Sequence, residues 1–321
     1  MNLDYTKIPL VFNVYKPVGM TSFNVIYQFK KNLNFDYGKI GHFGTLDPFA
    51  EGVLLVGIQG AQKLNDYVHE LLPKTYKARG IFGVKTASGD LTNPVDLEKH
   101  ISDEWRNKSL EEVEKFLCEK FLGEYWQRPH SVSATKYEGK RLYQHALAGR
   151  MIKKDKVKRE IYSFEVVRFN YPYFEFVVSV SSGTYVRSLF EEIATLLGGV
   201  GALEKLERLA IGAVGVDSSL DQSNWPNKKD NAFALEQVGI PLDRVLELDQ
   251  FVLSLGQSKH YLQGRRLQLD DIEKRANAEL ICSENYNWIY NEDGTLLGLG
   301  RPVGSEIHAI FNLKLSISQF C

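Results

Sequence analysis

Cysteine, methionine and tryptophan are scarce in this chain of 321 residues, which has three cysteines, three methionines and four tryptophans. The cysteines, Cys118, Cys282 and Cys321, lie far apart, so they give neither the paired spacing of a zinc site nor a disulfide framework. The seven histidines are scattered as well. We therefore expect no metal site.

Long apolar segments are also missing from the sequence. No apolar run approaches the ~18 residues that a membrane-spanning helix requires. Residues 1–17 lack the basic region and long apolar stretch of a signal peptide. We therefore expect a cytoplasmic protein that does not cross a membrane. The length, with 44% hydrophobic and 25% charged residues, is typical of about two globular domains.

Neither sign of charge dominates, because 39 Lys and Arg residues face 40 Asp and Glu residues. A nucleic-acid-binding domain usually carries a basic excess, so an RNA site in this chain must come from local clustering. The clearest basic cluster lies within residues 150–159 and is either a solvated loop or part of an RNA-binding surface. Its cations are Arg150, Lys153, Lys154, Lys156, Lys158 and Arg159.

The segment from Gly38 to Gly60 places a single aspartate, Asp47, among glycines and directly before Pro48. A residue before proline is kept out of the helical region, and the glycines permit sharp turns and the close approach of a ligand. The apolar run 53–58 that follows predicts a buried strand. Asp47 therefore lies on a tight loop beside a buried strand, where it either caps backbone amides or acts chemically.

A second candidate segment, residues 181–187, reads Ser-Ser-Gly-Thr-Tyr-Val-Arg and connects a strand pattern to a helical pattern. Side chains at such a junction can converge on one site, so Tyr185 and Arg187 are candidates. Judged from the residues alone, Arg187 either joins a site or pairs with a local glutamate, Glu191 or Glu192.

Cations and aromatic residues alternate in two further segments. Residues 74–80 predict a strand whose Tyr76 either packs in the core or contacts a ligand. Residues 127–150 predict either an amphipathic surface helix or an RNA-clamping segment, since cations bind phosphates and rings stack on bases. The relevant side chains there are Arg128, Lys136, Tyr137, Lys140, Arg141 and Tyr143.

The other local patterns predict ordinary scaffold elements. Ser109 and Glu112 form a capping box at the start of a helix that Gly123 ends. Asp293-Gly294 between apolar runs predicts a hairpin. The remaining predictions are a strand over 8–15, a helix over 22–34 capped by Thr21 or Ser22, a helix over 61–72 and a polar loop over 85–108.

The segment GHFGTLDPFAEGVL at residues 41–54 resembles the motif around the catalytic aspartate of the TruB-type tRNA pseudouridine synthases. Further similarities follow in the order expected for that family. They are Lys-Pro-x-Gly-Met-Thr-Ser at 16–22, Ser-Ala-x-Lys-x-x-Gly-x-x-x-Tyr at 133–143, Ser-x-Gly-Thr-Tyr-x-Arg at 181–187 and a Leu-Glu-Arg-Leu ending at 206–209. The last of these departs from the family at Glu207, where an arginine is usual.

The resemblance implies a role for each matched side chain. Asp47 is the catalytic residue, Arg187 pairs with it and keeps it ionised, and Tyr76 lies against the target uracil. Tyr185 contacts the nucleoside, Leu206 lines the base pocket and His42 helps to hold the flipped loop nucleotides. Lys16 and Pro17 support the catalytic loop. The RNA-backbone candidates are Lys136, Lys140, Arg141, Lys153 and Lys154, all in or beside a thumb-like segment at about 125–158.

The resemblance also implies an α+β fold of the pseudouridine-synthase type, with a mixed, largely antiparallel central sheet flanked by helices and loops. Residues 1–225 are expected to form the catalytic domain. Residues 235–321 are expected to form a small β-rich RNA-binding domain of the PUA type, because Tyr261 to Gly264 and the predicted hairpin resemble that module. The polar residues 217–231 would form the transition.

The function that follows is conversion of uridine 55 in the T-loop of tRNA to pseudouridine by a monomer without a cofactor or metal. Asp47 would attack C1′ of the flipped nucleotide or abstract a ribose proton, and both routes remain open. Two other classes remain as alternatives. One is an RNA-binding or tRNA-folding protein with dispensable catalysis, and the other is a glycoside hydrolase that uses Asp47 with a second carboxylate.

Overall fold

The computed structural model describes residues 8–33, 36–130, 133, 136–150, 152, 154–227, 235–275 and 285–313. The helices are α1 (Ser22–Asn32), α2 (Asn65–Leu71), α3 (Asp103–Arg106), α4 (Leu110–Phe121), α5 (Leu142–Leu147), α6 (Val186–Leu196), α7 (Leu235–Val238), α8 (Leu242–Val245) and α9 (Leu255–Leu262). None of these helices is long and apolar enough to span a membrane.

The first twelve strands belong to the N-terminal two thirds of the chain. They are β1 (Leu10–Lys16), β2 (Gly41–His42), β3 (Glu51–Ile58), β4 (Lys74–Thr86), β5 (Val95–Lys99), β6 (Gly123–Gln127), β7 (Lys136–Tyr137), β8 (Lys140–Arg141), β9 (Val157–Asn170), β10 (Tyr173–Val180), β11 (Gly201–Ile211) and β12 (Val214–Gly215). The later strands are β13 (Gly239–Pro241), β14 (Gln250–Leu253), β15 (Leu267–Gln268), β16 (Glu273–Arg275), β17 (Asn287–Asn291), β18 (Leu296–Val303) and β19 (Glu306–Asn312).

A large central sheet carries the strand order β13-β1-β3-β11-β4-β10-β9-β6, with β2, β5 and β12 paired beside β3, β4 and β11. Its pairings are antiparallel except that β3 runs parallel to β11, where Glu51 and Gly52 lie opposite Glu207 and Arg208. The predicted α+β fold with a mixed, largely antiparallel sheet is confirmed.

Helix α1 forms where the sequence predicts a helix, and Thr21 is its cap. The Thr21 hydroxyl accepts a hydrogen bond from Asn24 N at 3.1 Å, which satisfies one of the free amides of the first turn. Ile26 and Phe29 are buried against β1 and β3, while Lys30 and Lys31 lie in the last turn, where cations are favourable.

Helix α6 packs across β4, and this contact fixes the position of Arg187 in its first turn. The Phe190 ring lies directly over Gly80, where a Cβ atom would come within 2.1 Å of the ring. Only glycine leaves room for so close an approach. Phe190 also stacks near Phe82 and Phe176, so an aromatic core anchors the helix to the sheet.

Two predictions of secondary structure need correction. Residues 85–108, predicted as a polar loop, contain β5 and α3, because the long β4 extends far enough for Gly83 to Thr86 to pair with β5. Every residue of β5 is exposed, and although Val95 and Leu97 alternate with polar residues, the alternation is short and lies in a polar, turn-rich segment. The helix predicted over 61–72 begins with a 3₁₀ turn at Ala61–Leu64 before α2.

The C-terminal part forms a second sheet in the order β15-β19-β18-β17-β14-β16. The predicted hairpin is confirmed, since Asp293-Gly294 connects β17 to β18 and Gly294 has φ of +85°. This sheet shares an apolar cluster with α2, in which Tyr67 and Tyr286 meet edge to face at 5.0 Å. Strand β13 pairs with β1 and thereby extends the central sheet.

Candidate active site

Three neighbouring segments hold the loop between β2 and β3 that carries Asp47. The buried Ser22 hydroxyl accepts a hydrogen bond from Leu46 N at 2.9 Å and donates one to Leu46 O at 3.2 Å. Gly19 N donates to Pro48 O at 2.7 Å. The buried Arg208 donates from Nη2 to Gly44 O at 3.2 Å. The loop is therefore fixed on both sides of Asp47 by contacts that are distant in sequence.

Lys16 supports the same region from below. Its side chain is fully buried, and Nζ donates to Pro17 O at 2.8 Å and to Met20 O at 2.7 Å. Burial lowers the pKa of Lys16 to about 8, although the nearby Asp47 charge opposes that decrease. Lys16 thus folds back on its own loop.

Arg187 connects two carboxylates. Its Nη2 atom lies 2.9 Å from Asp47 Oδ2, and its Nη1 atom lies 3.6 Å from Asp90 Oδ2 and donates to Ser88 O at 2.6 Å. Arg187 and Asp90 are each 4% exposed. The Asp90 carboxylate is held in turn by Ser88 Oγ at 2.9 Å and by Thr92 N at 3.0 Å. The guanidinium therefore has a fixed orientation toward Asp47.

The pKa of Asp47 is raised above its usual value. Burial of the carboxyl in the cavity wall is the main cause, and the Arg187 guanidinium opposes the rise. Asp90 adds a smaller effect in the same direction as burial. Arg187 therefore acts in the direction that the sequence predicts, but desolvation outweighs it. The result is a carboxylate that is more basic than a solvent-exposed one.

Asp47 lies at a cavity of about 200 Å³ that has aromatic, aliphatic and cationic walls. Five of the residues singled out in the sequence line this cavity. They are Asp47, Tyr76, Tyr185, Arg187 and Leu206. Tyr76 and Leu206 are 7% and 6% exposed, so little more than their cavity-facing surface is accessible. A flat, unsaturated ring of modest size fits such walls.

Tyr185 is positioned by a buried glutamine. Gln127 Nε2 donates to Tyr185 O at 2.9 Å, and Gln127 Oε1 accepts from Tyr185 N at 2.7 Å. The amide of Gln127 thus pairs with both backbone polar groups of the residue immediately before α6, whose carbonyl also accepts a hydrogen bond from Leu189 N at 3.0 Å. Gln127 is 2% exposed on β6, so this contact ties the cavity wall to the far edge of the central sheet.

Of the other predicted site residues, His42, Lys140 and Lys154 are not among those that line the cavity. His42 is half-buried on β2, whose pairing with β3 sets it opposite Val56. Lys136, Lys140 and Arg141 belong to the β7–β8 hairpin, and the Lys140 side chain is exposed. Lys154 is half-buried. Lys153 falls outside the described residues.

Sequence reasoning missed Asp90 and Gln127. Ser88-Gly89-Asp90 reads as an ordinary turn, because nothing local indicates that α6 brings a guanidinium to it. Gln127 precedes an arginine and a proline, and its two hydrogen bonds reach 58 residues along the chain. The only sequence signal for either residue is its nearness to a segment already singled out.

Glu207 points away from the cavity. Leu206 and Arg208 line the cavity, whereas Glu207 faces a separate charged surface with Glu51, Lys77 and Lys205. Its carboxylate accepts a long hydrogen bond from Tyr15 Oη at 3.4 Å. Glutamate at this position therefore leaves the charge of the cavity wall unchanged.

Comparison with known proteins gives one family and one fold. Residues 30–186 match the family described as "TruB family pseudouridylate synthase (N terminal domain)". The chain is 33% identical to tRNA pseudouridine synthase B of Thermosipho melanesiensis, over 84% of this chain and 87% of the relative. It is 35% identical to the protein of the same name from Clostridium novyi, over 90% and 94% of the two chains.

Solved structures resemble the whole fold at lower sequence identity. A Cbf5-Nop10-Gar1 complex contains a chain that superposes with a TM-score of 0.69 at 22% identity, over 98% of this chain and 88% of the other. The archaeal box H/ACA sRNP Nop10-Cbf5 complex gives a TM-score of 0.69 at 20% identity, over 97% and 88%. The resemblance therefore covers both sheets of the present chain.

Proposed function

The chain belongs to the TruB family of pseudouridylate synthases, and from that premise we propose that it converts uridine 55 in the T-loop of tRNA to pseudouridine. Its relatives from Thermosipho melanesiensis and Clostridium novyi are named tRNA pseudouridine synthase B, which supports tRNA as the substrate. The observation that carries the proposal is the Asp47–Arg187 pair at the edge of a cavity walled by Tyr76, Tyr185 and Leu206.

The cavity can take up a base that has left the RNA stack. Enzymes that act on a base inside folded RNA must flip it out, and stacking on an aromatic ring replaces part of the lost stacking energy, about 1–3 kcal/mol per base. Tyr76 supplies such a ring beside Leu206, and Tyr185 approaches from the start of α6. The enclosed walls retain the uracil after its bond to the ribose has broken.

Asp47 carries the chemical step by one of two routes. It attacks C1′ so that uracil departs as an anion, or it removes a ribose proton so that the bond between N1 and C1′ breaks. The uracil then turns and its C5 bonds to C1′, which releases the Asp47 carboxylate in the first route and is accompanied by return of the ribose proton in the second. The proton on C5 is lost and N1 gains a proton, so the product is an isomer of the substrate. Arg187 keeps the carboxylate oriented, and the basicity that burial gives to Asp47 suits either role.

The remaining predicted residues form the RNA-binding surface in this proposal. Lys140 is exposed, and we assign it to phosphates of the T-arm with Lys136, Arg141, Lys153 and Lys154. His42 holds the flipped loop nucleotides. Residues 1–225 act as the catalytic unit, with a thumb at about 125–158, and residues 235–321 act as an RNA-binding unit. The enzyme works as a cytoplasmic monomer without a metal.

Glycoside hydrolysis is the weaker candidate because of how the two carboxylates are arranged. A glycosidase places two carboxyl groups on either side of the bond that it cleaves. Here the second carboxylate, Asp90, is buried and faces Arg187 at 3.6 Å, so the guanidinium stands between it and Asp47. Glu51 lies on the opposite side of the sheet, with Glu207 and Lys77.

The proposal is tested by incubating the enzyme with an unmodified tRNA transcript and mapping pseudouridine. We expect product at position 55 with the wild type and none with Asp47→Asn, while Asp47→Asn still binds the tRNA. Asp103→Asn, at an aspartate that is 88% exposed, is the matched control and should be fully active. Product at another position would overturn the proposed target. Activity of Asp47→Asn equal to wild type would overturn the role of Asp47.

A further inference from the structure

A group of cations lies in the cavity wall and has no part in the mechanism described above. Lys74, the first residue of β4, is 4% exposed, and Arg208 on β11 is 1% exposed. Lys74 Nζ lies 3.3 Å from His69 Nδ1. All three residues line the same cavity as Asp47 and Tyr76, so the cations are buried in protein but reachable from the active site.

This positive charge has no carboxylate partner in the part of the chain that the structure describes. Arg208 donates to two backbone carbonyls, Val53 O at 2.7 Å and Gly44 O at 3.2 Å. Among the described residues, no carboxylate oxygen lies within 4 Å of the Lys74 or Arg208 side chains. A buried cation without a counter-charge is costly, and proteins keep such groups where function needs them.

The pKa values of Lys74 and His69 reflect this excess of positive charge. Burial and the Arg208 charge lower the pKa of Lys74 to about 7. Burial, and then Lys74 and Arg208, lower the pKa of His69 to about 4, so the imidazole is neutral and accepts a hydrogen bond from Lys74. An anion placed in the cavity would restore full protonation of the ammonium.

Gly44 keeps the ammonium accessible beside the catalytic loop. Its φ is +96°, and a Cβ atom there would lie 3.0 Å from Lys74 Nζ and 3.4 Å from His69 Cε1. The missing side chain therefore leaves a path between the loop of Asp47 and the cationic wall. Lys74 and Tyr76 are two residues apart on one face of β4, about 7 Å along the strand, which is within the reach of one nucleotide.

We propose that Lys74 and Arg208 form a subsite for one backbone phosphodiester of the RNA, next to the nucleotide whose base stacks on Tyr76. The inference rests on the proposed function, because it takes RNA as the substrate. A phosphodiester is a permanent anion with free acceptor oxygens, which an ammonium and a guanidinium bind well. The subsite would convert an unfavourable buried charge into binding of the flipped conformation.

The first test compares Lys74→Met with Lys77→Met on a T-loop hairpin RNA. Lys77 lies on the same strand but is exposed on the other face, so it is the matched control. We expect Lys74→Met to raise KM about tenfold, with kcat changed less than threefold, and to reduce the slope of log K against log salt by about 0.7. Lys74→Arg, which keeps a positive charge, should show a smaller increase in KM than Lys74→Met. Lys77→Met should leave KM near wild type.

Thermal stability separates this role from a structural one. Without RNA, Lys74→Met should melt at a higher temperature than wild type, because a buried charge is replaced by an apolar chain. A lower melting temperature would mean that Lys74 supports the fold and would overturn the proposal. A fall in kcat with KM unchanged would also overturn it, because the ammonium would then act on the departing uracil.

The second test identifies the phosphate. Hairpins with one neutral methylphosphonate at each loop position are assayed with both enzymes. We expect the kcat/KM of wild type to fall about tenfold when one particular phosphate is neutral, and the kcat/KM of Lys74→Met to be unchanged by that same substitution. Independent losses at every position would overturn the subsite. Inorganic phosphate should also raise the melting temperature of wild type but not of Lys74→Met. Failure of wild type to modify the unsubstituted hairpin would instead refute the proposed function and leave the phosphate result to stand by itself.

Discussion

Replacement of Arg187 by methionine is the most informative perturbation of the active site. The guanidinium is 4% exposed and is the link between Asp47 at 2.9 Å and Asp90 at 3.6 Å. Methionine fills a similar volume without a charge, so the packing of α6 on the sheet is retained. The change leaves two carboxylates facing each other across the space that the cation occupied.

The magnitude follows from how well each carboxylate can be rehydrated. Removal of one partner from a buried ion pair costs about 3–5 kcal/mol. The Asp47 side chain is 37% exposed, so water compensates its charge in part, whereas the side chain of Asp90 is 5% exposed and cannot be rehydrated. We therefore expect the free energy of unfolding to fall by about 3 kcal/mol, mostly through Asp90. That corresponds to a melting temperature lower by about 6 °C.

Chemical denaturation of single and double variants measures this loss. Arg187→Met should unfold at lower denaturant concentration, and adding Asp90→Asn should recover more than half of the lost stability, because the amide keeps the hydrogen bond from Thr92 N without the charge. Pseudouridine formation should stay abolished in both variants, since the pKa of Asp47 rises further without its cation. Equal stability of Arg187→Met and wild type would refute this account of the buried pair.

Three further predictions concern the loop, the cavity wall and pH. Gly44→Ala should reduce kcat/KM at least tenfold, because φ of +96° disfavours any side chain and the new Cβ meets Lys74. Steady-state kinetics measure this loss. The control for backbone strain is Gly304→Ala, because Gly304 has φ of +61° but no atoms near a new Cβ. Gln127→Leu should lower kcat/KM about 100-fold with tRNA binding nearly intact, since both hydrogen bonds from Gln127 to Tyr185 are lost. A filter-binding assay beside the kinetics separates an effect on tRNA binding from an effect on turnover, and a loss of binding alone would contradict the prediction. The folded-state pKa of Lys74 is about 7, below its ordinary 10.5, so between these pH values the unfolded chain binds one proton more than the folded chain. The free energy of unfolding should therefore rise with pH across that window, by up to about 4 kcal/mol. Denaturation of wild type and Lys74→Met at pH 7 and pH 9 measures this effect, and a stability difference between the two proteins that does not depend on pH would contradict it.

Much of the scaffold could be predicted because local chemistry decides it. The Thr21 cap, the apolar spacing of Ile26 and Phe29, and the fully buried run of β3 each follow from a few adjacent residues. Strand β5 is missed although Val95 and Leu97 alternate with polar residues, because the alternation is short and all its residues are exposed, so that pairing with β4 decides the strand. A short alternating pattern in a polar segment does not by itself distinguish a paired strand from a loop.

The site divides in the same way. Asp47, Tyr76, Tyr185, Arg187 and Leu206 could be named from their motifs, and the structure places all five at one cavity. Asp90 could not, because its importance comes from Arg187, which lies 97 residues further along the chain and reaches it only when α6 packs on β4. A buried carboxylate in a turn and an exposed one look the same in sequence.

The cationic wall, by contrast, is tied to Tyr76 by the alternation of side chains along a strand. If Tyr76 faces the base, then Lys74, two residues earlier on the same strand, faces the same way. The register of β4 with β11 sets Tyr76 opposite Arg208, while Lys77 and Glu207 pair on the other face. The aromatic ring and the two buried cations are therefore consequences of one alternation. If Tyr76 holds the base, the nucleotide therefore also meets the positive charges of Lys74 and Arg208. The same alternation places Glu207 on the other face, so this glutamate, in place of the arginine that the family resemblance predicts, does not reduce the positive charge of the cavity wall.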